Sequence, residues 1–350
     1  MLSWQARLTK IVLRAAKRGL ARRNTAAPDQ IAAMRRLLEA GAARNVRAPA
    51  GVRIDVLQNG PVAGEWIRVA GGAQDRAILY AHGGAYVACR PVTHRTLTVA
   101  LARATGVAVF ASDYRRAPEH RYPAALEDML AAYDMLRASG ISQAGIALAG
   151  DSAGGGLALA TALALRARGL EDPVSGVAVY SPWTDLLGTG TSVYENAQCD
   201  DMLLATNGPT LARAYAEESQ LADPFVSPLY GEYAGFPPLV VFVGSTEVLR
   251  DDALRLADRA RAAGVDVTLH VEPELPHVWP VFDYLPEAKR SVAQTAEFLA
   301  RRWSGQARPA VARRAPPAGA SRASGTRAAR ELCVRTDEPT LRGGARTGQR

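Results

Sequence analysis

The apolar positions of this chain change period several times, and the changes outline its architecture. In residues 2–20, Leu8, Ile11, Val12, Ala15, Ala16 and Leu20 recur at steps of three and four, with Arg7, Lys10, Arg14, Lys17 and Arg18 between them. That spacing predicts a helix with one apolar and one basic face, and a second helix is predicted over residues 28–40. Most apolar helical stripes are buried, so residues 1–45 are expected to pack on the body as a helical lid. The alternative weighed against it is a basic amphipathic helix on a membrane surface.

From Val52 onward, short β-rich runs alternate with helical stretches. Strands are predicted at 53–57, 65–69, 76–81, 107–112, 145–149, 176–180, 239–243 and 266–271. Helices are predicted near 92–105, 123–139, 153–168, 251–263 and 287–302. Such alternation implies a largely parallel sheet covered on both faces, with ligands gathered at the carboxyl ends of its strands. The first two strands are close enough in sequence to form an antiparallel edge.

After Trp303 the chain turns to Arg, Ala, Gly, Pro and Thr with no period. A segment of that kind buries too little surface to offset its ordering entropy, so residues 304–350 are expected to be a disordered Arg-rich tail. The remaining α/β domain spans residues 46–303.

The formal charge of +8 first suggests a nucleic-acid partner, but its distribution removes the suggestion. Residues 1–47 carry a net +9 and residues 304–350 a net +7, which leaves the body between them at −8. No basic stripe with interleaved aromatics runs through that body, and nucleic acid is not expected as a partner. The longest apolar runs, such as 146–150 and 239–243, are far short of the roughly 20 residues of a membrane span, so no integral membrane association is expected. Cys89, Cys199 and Cys333 are an odd number at wide spacing, without a Cys-x-x-Cys pair. They fit a reducing compartment, and with basic residues interrupting the N-terminal apolar stretch a cytoplasmic location is expected.

The segment Gly150-Asp151-Ser152-Ala153-Gly154 lies between the apolar runs 146–149 and 157–160. Gly-x-Ser-x-Gly alone is a weak signal, but between a strand and a helix it describes a sharp elbow that exposes the Ser152 hydroxyl. A serine hydroxyl needs a base, and in this elbow type an acid and then a histidine follow in chain order. His82, His94 and His120 precede the serine. His270 falls inside an alternating strand, whereas His277 sits in a loop beyond it and is the candidate base. The acid is sought after the strand 239–243, where Glu247 is nearest the strand end. Asp251 is the alternative acid, although it and Asp252 would begin the next helix as cap residues. His82-Gly83-Gly84-Ala85-Tyr86 follows a strand and, with Ala153, offers backbone amides for an oxyanion.

At these residues the chain resembles the hormone-sensitive-lipase-like group of α/β-hydrolases, which includes bacterial short-chain carboxylesterases. The likeness runs from about residue 50 to 303. It also takes in Asp113-Tyr114-Arg115-Arg116-Ala117-Pro118-Glu119-His120, Ser181-Pro182-Trp183-Thr184-Asp185-Leu186, Ser227-Pro228-Leu229 and Asp251-Asp252. The resemblance implies an α/β-hydrolase fold with a mostly parallel eight-stranded sheet and an N-terminal helical lid, to which residues 186–222 contribute. It implies Ser152 as nucleophile, Glu247 as acid and His277 as base, with the amides of Gly83, Gly84, Ala85 and Ala153 as oxyanion hole. Two departures stand out: Glu247 where many members have Asp, and Ala85 where the commonest form has a third glycine. Asp113 and Glu119 belong to a structural segment.

The expected activity is hydrolysis of short- to medium-chain acyl esters, with a small-molecule ester as partner and no metal or organic cofactor. A lactone hydrolase or an acetyl-hydrolase of secondary metabolism fits the same residues. A ligand-binding receptor without catalysis is the alternative from another class, and the presence of His277 and a carboxylate argues against it. The acyl and alcohol pockets are expected around Tyr86, Trp183 and Tyr215. The last helix and its neighbouring strand offer a surface on which a homodimer can form.

Overall fold

A computed structural model describes residues 2–21, 27–42, 48–58 and 62–304. The expected Arg-rich tail therefore lies, beyond Ser304, outside the described residues. Eight strands, β1 (Val52–Leu57), β2 (Gly64–Val69), β3 (Ala73–Ala81), β4 (Val107–Ser112), β5 (Ile146–Asp151), β6 (Val177–Tyr180), β7 (Leu239–Gly244) and β8 (Val267–Glu272), make one sheet. Their order is β1-β2-β4-β3-β5-β6-β7-β8. β2 pairs antiparallel with β1 and β4, and every other pairing is parallel. All residues of β5, β6 and β7 are buried, as strands covered on both faces by helices must be. Edge strand β1 has Arg53 and Val56 exposed.

The helices are α1 (Trp4–Ala21), α2 (Ala27–Ala42), α3 (Arg95–Thr105), α4 (Ala124–Ala138), α5 (Ser152–Ala167), α6 (Ser192–Glu195), α7 (Gly208–Tyr215), α8 (Arg250–Ala262) and α9 (Pro286–Trp303). Alternate strand residues feed two cores. Ile78, Tyr80, Ala149 and Phe242 pack with α3 and α9 on one face. Leu79, Leu148 and Val241 pack with α4, α5 and α8 on the other. α5 is buried from Ala153 through Leu165, which explains why it is apolar all round and shows no amphipathic period. α6 and α7 come from a stretch in which the sequence pattern announced no helix.

α1 packs on the body, but with the face opposite to the one expected. Trp4, Leu8, Ile11 and Val12 are 71, 54, 65 and 59% exposed, while Thr9 and Lys10 are buried. The cause is a set of distant acceptors. Lys10 Nζ donates to the carbonyl oxygen of Glu274 at 2.7 Å, Lys17 Nζ to those of Ala197 and Asp200 at 2.9 and 2.7 Å, and Arg14 pairs with the buried Asp201. α2 is tied down by Arg35, which donates to the carbonyl oxygens of Val87 and Ala117 and pairs with Glu119.

Candidate active site

Ser152 stands where β5 turns into α5, with φ at 53°. The turn is so tight that a Cβ on Gly154 would lie 2.2 Å from the carbonyl oxygen of Ala81, and one on Gly150 would lie 2.3 Å from that of Gly154. Glycines on both sides therefore let the elbow press against the end of β3 and lift the serine to the carboxyl edge of the sheet.

Two other strand ends bring side chains to it. His277, in the loop after β8, has Nε2 2.9 Å from Ser152 Oγ and Nδ1 2.7 Å from Glu247 Oε2, and Glu247 lies just past β7. An ionised carboxylate only accepts, so Nδ1 donates and the Nε2 lone pair faces the serine hydroxyl. Glu247 Oε1 accepts from the Gly244 amide at 2.6 Å and the Ser181 hydroxyl at 2.8 Å. Burial disfavours protonating His277, but its bond to Glu247 outweighs this and its pKa lies above the ordinary histidine value. Burial also raises the Glu247 carboxyl, against the pull of His277.

The alternative acid faces elsewhere. Asp251 Oδ2 accepts from Thr191 Oγ1 and the Ser192 amide, both at 2.9 Å, and its Oδ1 pairs with Arg250. Asp252 Oδ2 accepts from the amides of Thr184 and Asp185. His270 stacks on Phe242 within the sheet.

The amide cluster differs from expectation at one residue. Gly83 N donates to Asp151 Oδ1 at 3.0 Å, so that amide is spent on the protein itself and is not open to an oxyanion. The amides of Gly84 and Ala85 donate to no acceptor among the described residues. The Ala153 amide, in the first turn of α5, has no partner within the helix. Ala85 takes the left-handed conformation, φ 54°, with its Cβ in place. His82 braces the loop: it stacks on Tyr114 at 4.2 Å between ring centroids, and its Nδ1 donates to the Gly83 carbonyl oxygen at 2.7 Å. Burial, helped by neighbouring His94, pulls its pKa down to about 3, so the ring is neutral.

Several bracing residues carried no assignment from sequence. Asp151 Oδ1 also accepts from Tyr80 OH at 2.5 Å, and its Oδ2 lies 3.2 Å from His94 Nε2. Ser181 takes the Val278 amide at 3.1 Å while donating to Glu247. Asn196 Nδ2 donates to the Glu247 carbonyl oxygen at 2.8 Å. For Ser181 a signal existed, since it follows a parallel strand on the side where ligands gather. Asp113 and Glu119 hold Arg90, Arg116 and Arg35 and stay structural.

A cavity of about 520 Å³ opens on Ser152, walled by Ala85, Trp183, Leu186, Val193, Leu203 and Leu211 among others. Tyr86 and Tyr215 are not part of its lining; they stack on one another at 3.7 Å between centroids. No cluster of three or more His, Cys, Asp or Glu among the described residues could hold a metal ion.

This geometry has relatives. The alpha/beta hydrolase fold family matches residues 78–281. An acetyl-hydrolase of Streptomyces hygroscopicus is 42% identical over 73% of this chain and 84% of its own length. An esterase of Acinetobacter venetianus is 36% identical over 71% of this chain and 82% of its own. The crystal structure of an esterase from the bacterial hormone-sensitive lipase family superposes with a TM-score of 0.78, at 38% identity, over 87% of this chain and all of that one. With the family matched over more than half its length and relatives this similar over most of it, the chain belongs to the α/β-hydrolase-fold family, on the branch of the bacterial hormone-sensitive-lipase-type esterases.

Proposed function

We propose that the protein is a serine carboxylesterase that hydrolyses small short- to medium-chain acyl esters without a cofactor. The observation that carries this reading is the unbroken relay from Glu247 through His277 to Ser152, beside an elbow and loop whose Gly84, Ala85 and Ala153 amides meet no acceptor among the described residues. Ser152 Oγ attacks the acyl carbonyl carbon as His277 Nε2 takes its proton. The amides of Gly84, Ala85 and Ala153 receive the oxyanion, and His277 then gives the proton to the departing alcohol. Water repeats the sequence on the acyl-enzyme and frees the acid and Ser152. The aliphatic wall beside Ser152 suits an acyl chain of modest length.

Ser152→Ala tests the assignment. It removes p-nitrophenyl butyrate turnover by several orders of magnitude, and turnover near that of the unsubstituted protein would sink it. An acetyl-hydrolase role is a narrower version of the same activity, favoured by the 42% identity to a protein of that name, and a chain-length series of p-nitrophenyl esters separates the two. A lactone hydrolase would use the same relay, and lactone turnover is its direct assay. A non-catalytic receptor would leave Ser152 unlabelled by a fluorophosphonate, whereas the relay predicts labelling. We expect no nucleic-acid partner, on the grounds of the acidic charge balance of the body. The open edge of β8 beside α9 is where a homodimer would form, and light scattering after size exclusion reads it.

A further inference from the structure

Helix α1 presents to solvent a face that helices of globular proteins bury. Trp4, Leu8, Ile11 and Val12 form one stripe at helical spacing, more than half exposed throughout, and Ala15 continues it. Arg7 and Arg18, both exposed, run along one flank of the stripe, and the helix contains no acidic residue. This face is fixed outward. On the other side Lys10, Arg14 and Lys17 are held by Glu274, Asp201 and the carbonyl oxygens of Ala197 and Asp200. Near its start, Ser3 donates from its amide and its hydroxyl to Glu287 at 2.7 and 2.9 Å. Turning the stripe inward would break these contacts and strand the buried Asp201.

We propose that this face of α1 docks on an anionic lipid surface, with the helix lying in the headgroup region. A tryptophan and branched aliphatics beside arginines is the composition that partitions at a membrane interface. No described helix is long and apolar enough to cross a membrane, so the protein lies on the surface. Charge decides against a second copy as the occupant. A two-fold pairing of this face doubles its basic flank and adds no α1 carboxylate to offset it, whereas acidic headgroups complement that flank. Four partly exposed side chains also fall short of the roughly 800 Å² per partner that a stable dimer buries. Lys17 ties the helix to Ala197, which lines the Ser152 cavity, so docking holds that wall beside the lipid. That last consequence alone rests on the esterase reading.

The full-length chain is sedimented with vesicles of phosphatidylcholine, with and without phosphatidylglycerol, beside the variants Leu8→Gln/Ile11→Gln/Val12→Gln and Trp4→Phe. The unsubstituted protein co-sediments with the anionic vesicles, and its tryptophan emission shifts to the blue, a shift that Trp4→Phe loses. The triple variant binds roughly tenfold more weakly or worse. Its hydrolysis of soluble p-nitrophenyl acetate is unchanged, which certifies its fold. Undiminished vesicle binding by the triple variant overturns the proposal and passes the binding to another basic part of the chain. Absence of binding by the unsubstituted protein overturns it too, as does a dimer in sedimentation velocity that the triple variant dissolves. If the unsubstituted protein binds vesicles as described but hydrolyses no ester, the esterase reading fails and the docking proposal stands.

Discussion

Two arms converge on Ser152, and they are made of different material. The proposed proton-transfer arm is built of side chains, Glu247 and His277, offered by the loops after β7 and β8 and steadied by Ser181, Gly244 and Asn196. The proposed oxyanion arm is built of backbone, the amides of Gly84, Ala85 and Ala153, and a side chain enters it only as a brace, Asp151 on the Gly83 amide. Single substitutions therefore remove parts of the first arm outright and reach the second only through what holds it. The contrast predicts a graded series of effects.

Glu247→Gln strikes the side-chain arm at its root. The imidazole loses the carboxylate that fixes its tautomer and stabilises its cation, and kcat falls on the order of 10³–10⁴-fold. Asp251→Asn, remote from His277, leaves turnover within about threefold; the opposite ranking would exchange the two acids. The pH profile carries the same information. His277 acts as base only when neutral, and Glu247 raises its pKa, so kcat/KM falls with decreasing pH at a midpoint above the ordinary histidine value of about 6.5. In Glu247→Gln the residual activity shows that midpoint displaced to lower pH.

Asp151→Asn probes the backbone arm through its brace. The shape is preserved, but the charge-assisted bond to the Gly83 amide becomes an ordinary one, and the amides of Gly84 and Ala85 are held less firmly. Loss of an oxyanion donor costs about 10²–10³-fold, so a loosened set loses roughly tenfold in kcat with KM little changed. A rise in KM at constant kcat would instead make Asp151 a part of substrate binding. Ser181→Ala is milder for catalysis, because Glu247 keeps the Gly244 amide. Its main cost is stability: the Val278 amide loses its acceptor, and about 1–3 kcal/mol is expected in denaturant unfolding, with kcat reduced less than about tenfold.

The same contrast explains what the sequence disclosed. All eight strands were legible, because parallel strands buried on both faces are short apolar runs between helices, as 146–149 and 239–243 illustrate. The meeting of Glu247 and His277 at Ser152 was legible because residue type and chain order describe such a side-chain series. Gly83 was misread because amide direction is not written in residue type; it depends on Asp151, 68 positions away, reaching back to the loop. The exposed face of α1 was misread for a related reason. Periodicity reveals that a helix has two faces, while the choice between them was made by Asp201 and Glu274 far along the chain. α6 is a single turn of four residues, too short for any period to register.

Ala85 supplies the smallest expected effect and the sharpest test of a backbone arm. At φ 54° its Cβ opposes the left-handed conformation, a strain of about 1–2 kcal/mol that glycine would relieve. Glycine would also enlarge the unfolded ensemble, at about 0.4–1 kcal/mol. The two terms oppose one another, so Ala85→Gly should raise the unfolding free energy by between about 0 and 1.6 kcal/mol and leave kcat within about threefold. The amide proposed to face the oxyanion is the same in both proteins. Denaturant unfolding and p-nitrophenyl butyrate kinetics on the same preparation read both quantities. A loss of kcat beyond about tenfold with stability unchanged would show that the Ala85 side chain, which lines the Ser152 cavity, contacts substrate, and that the oxyanion arm is not backbone alone.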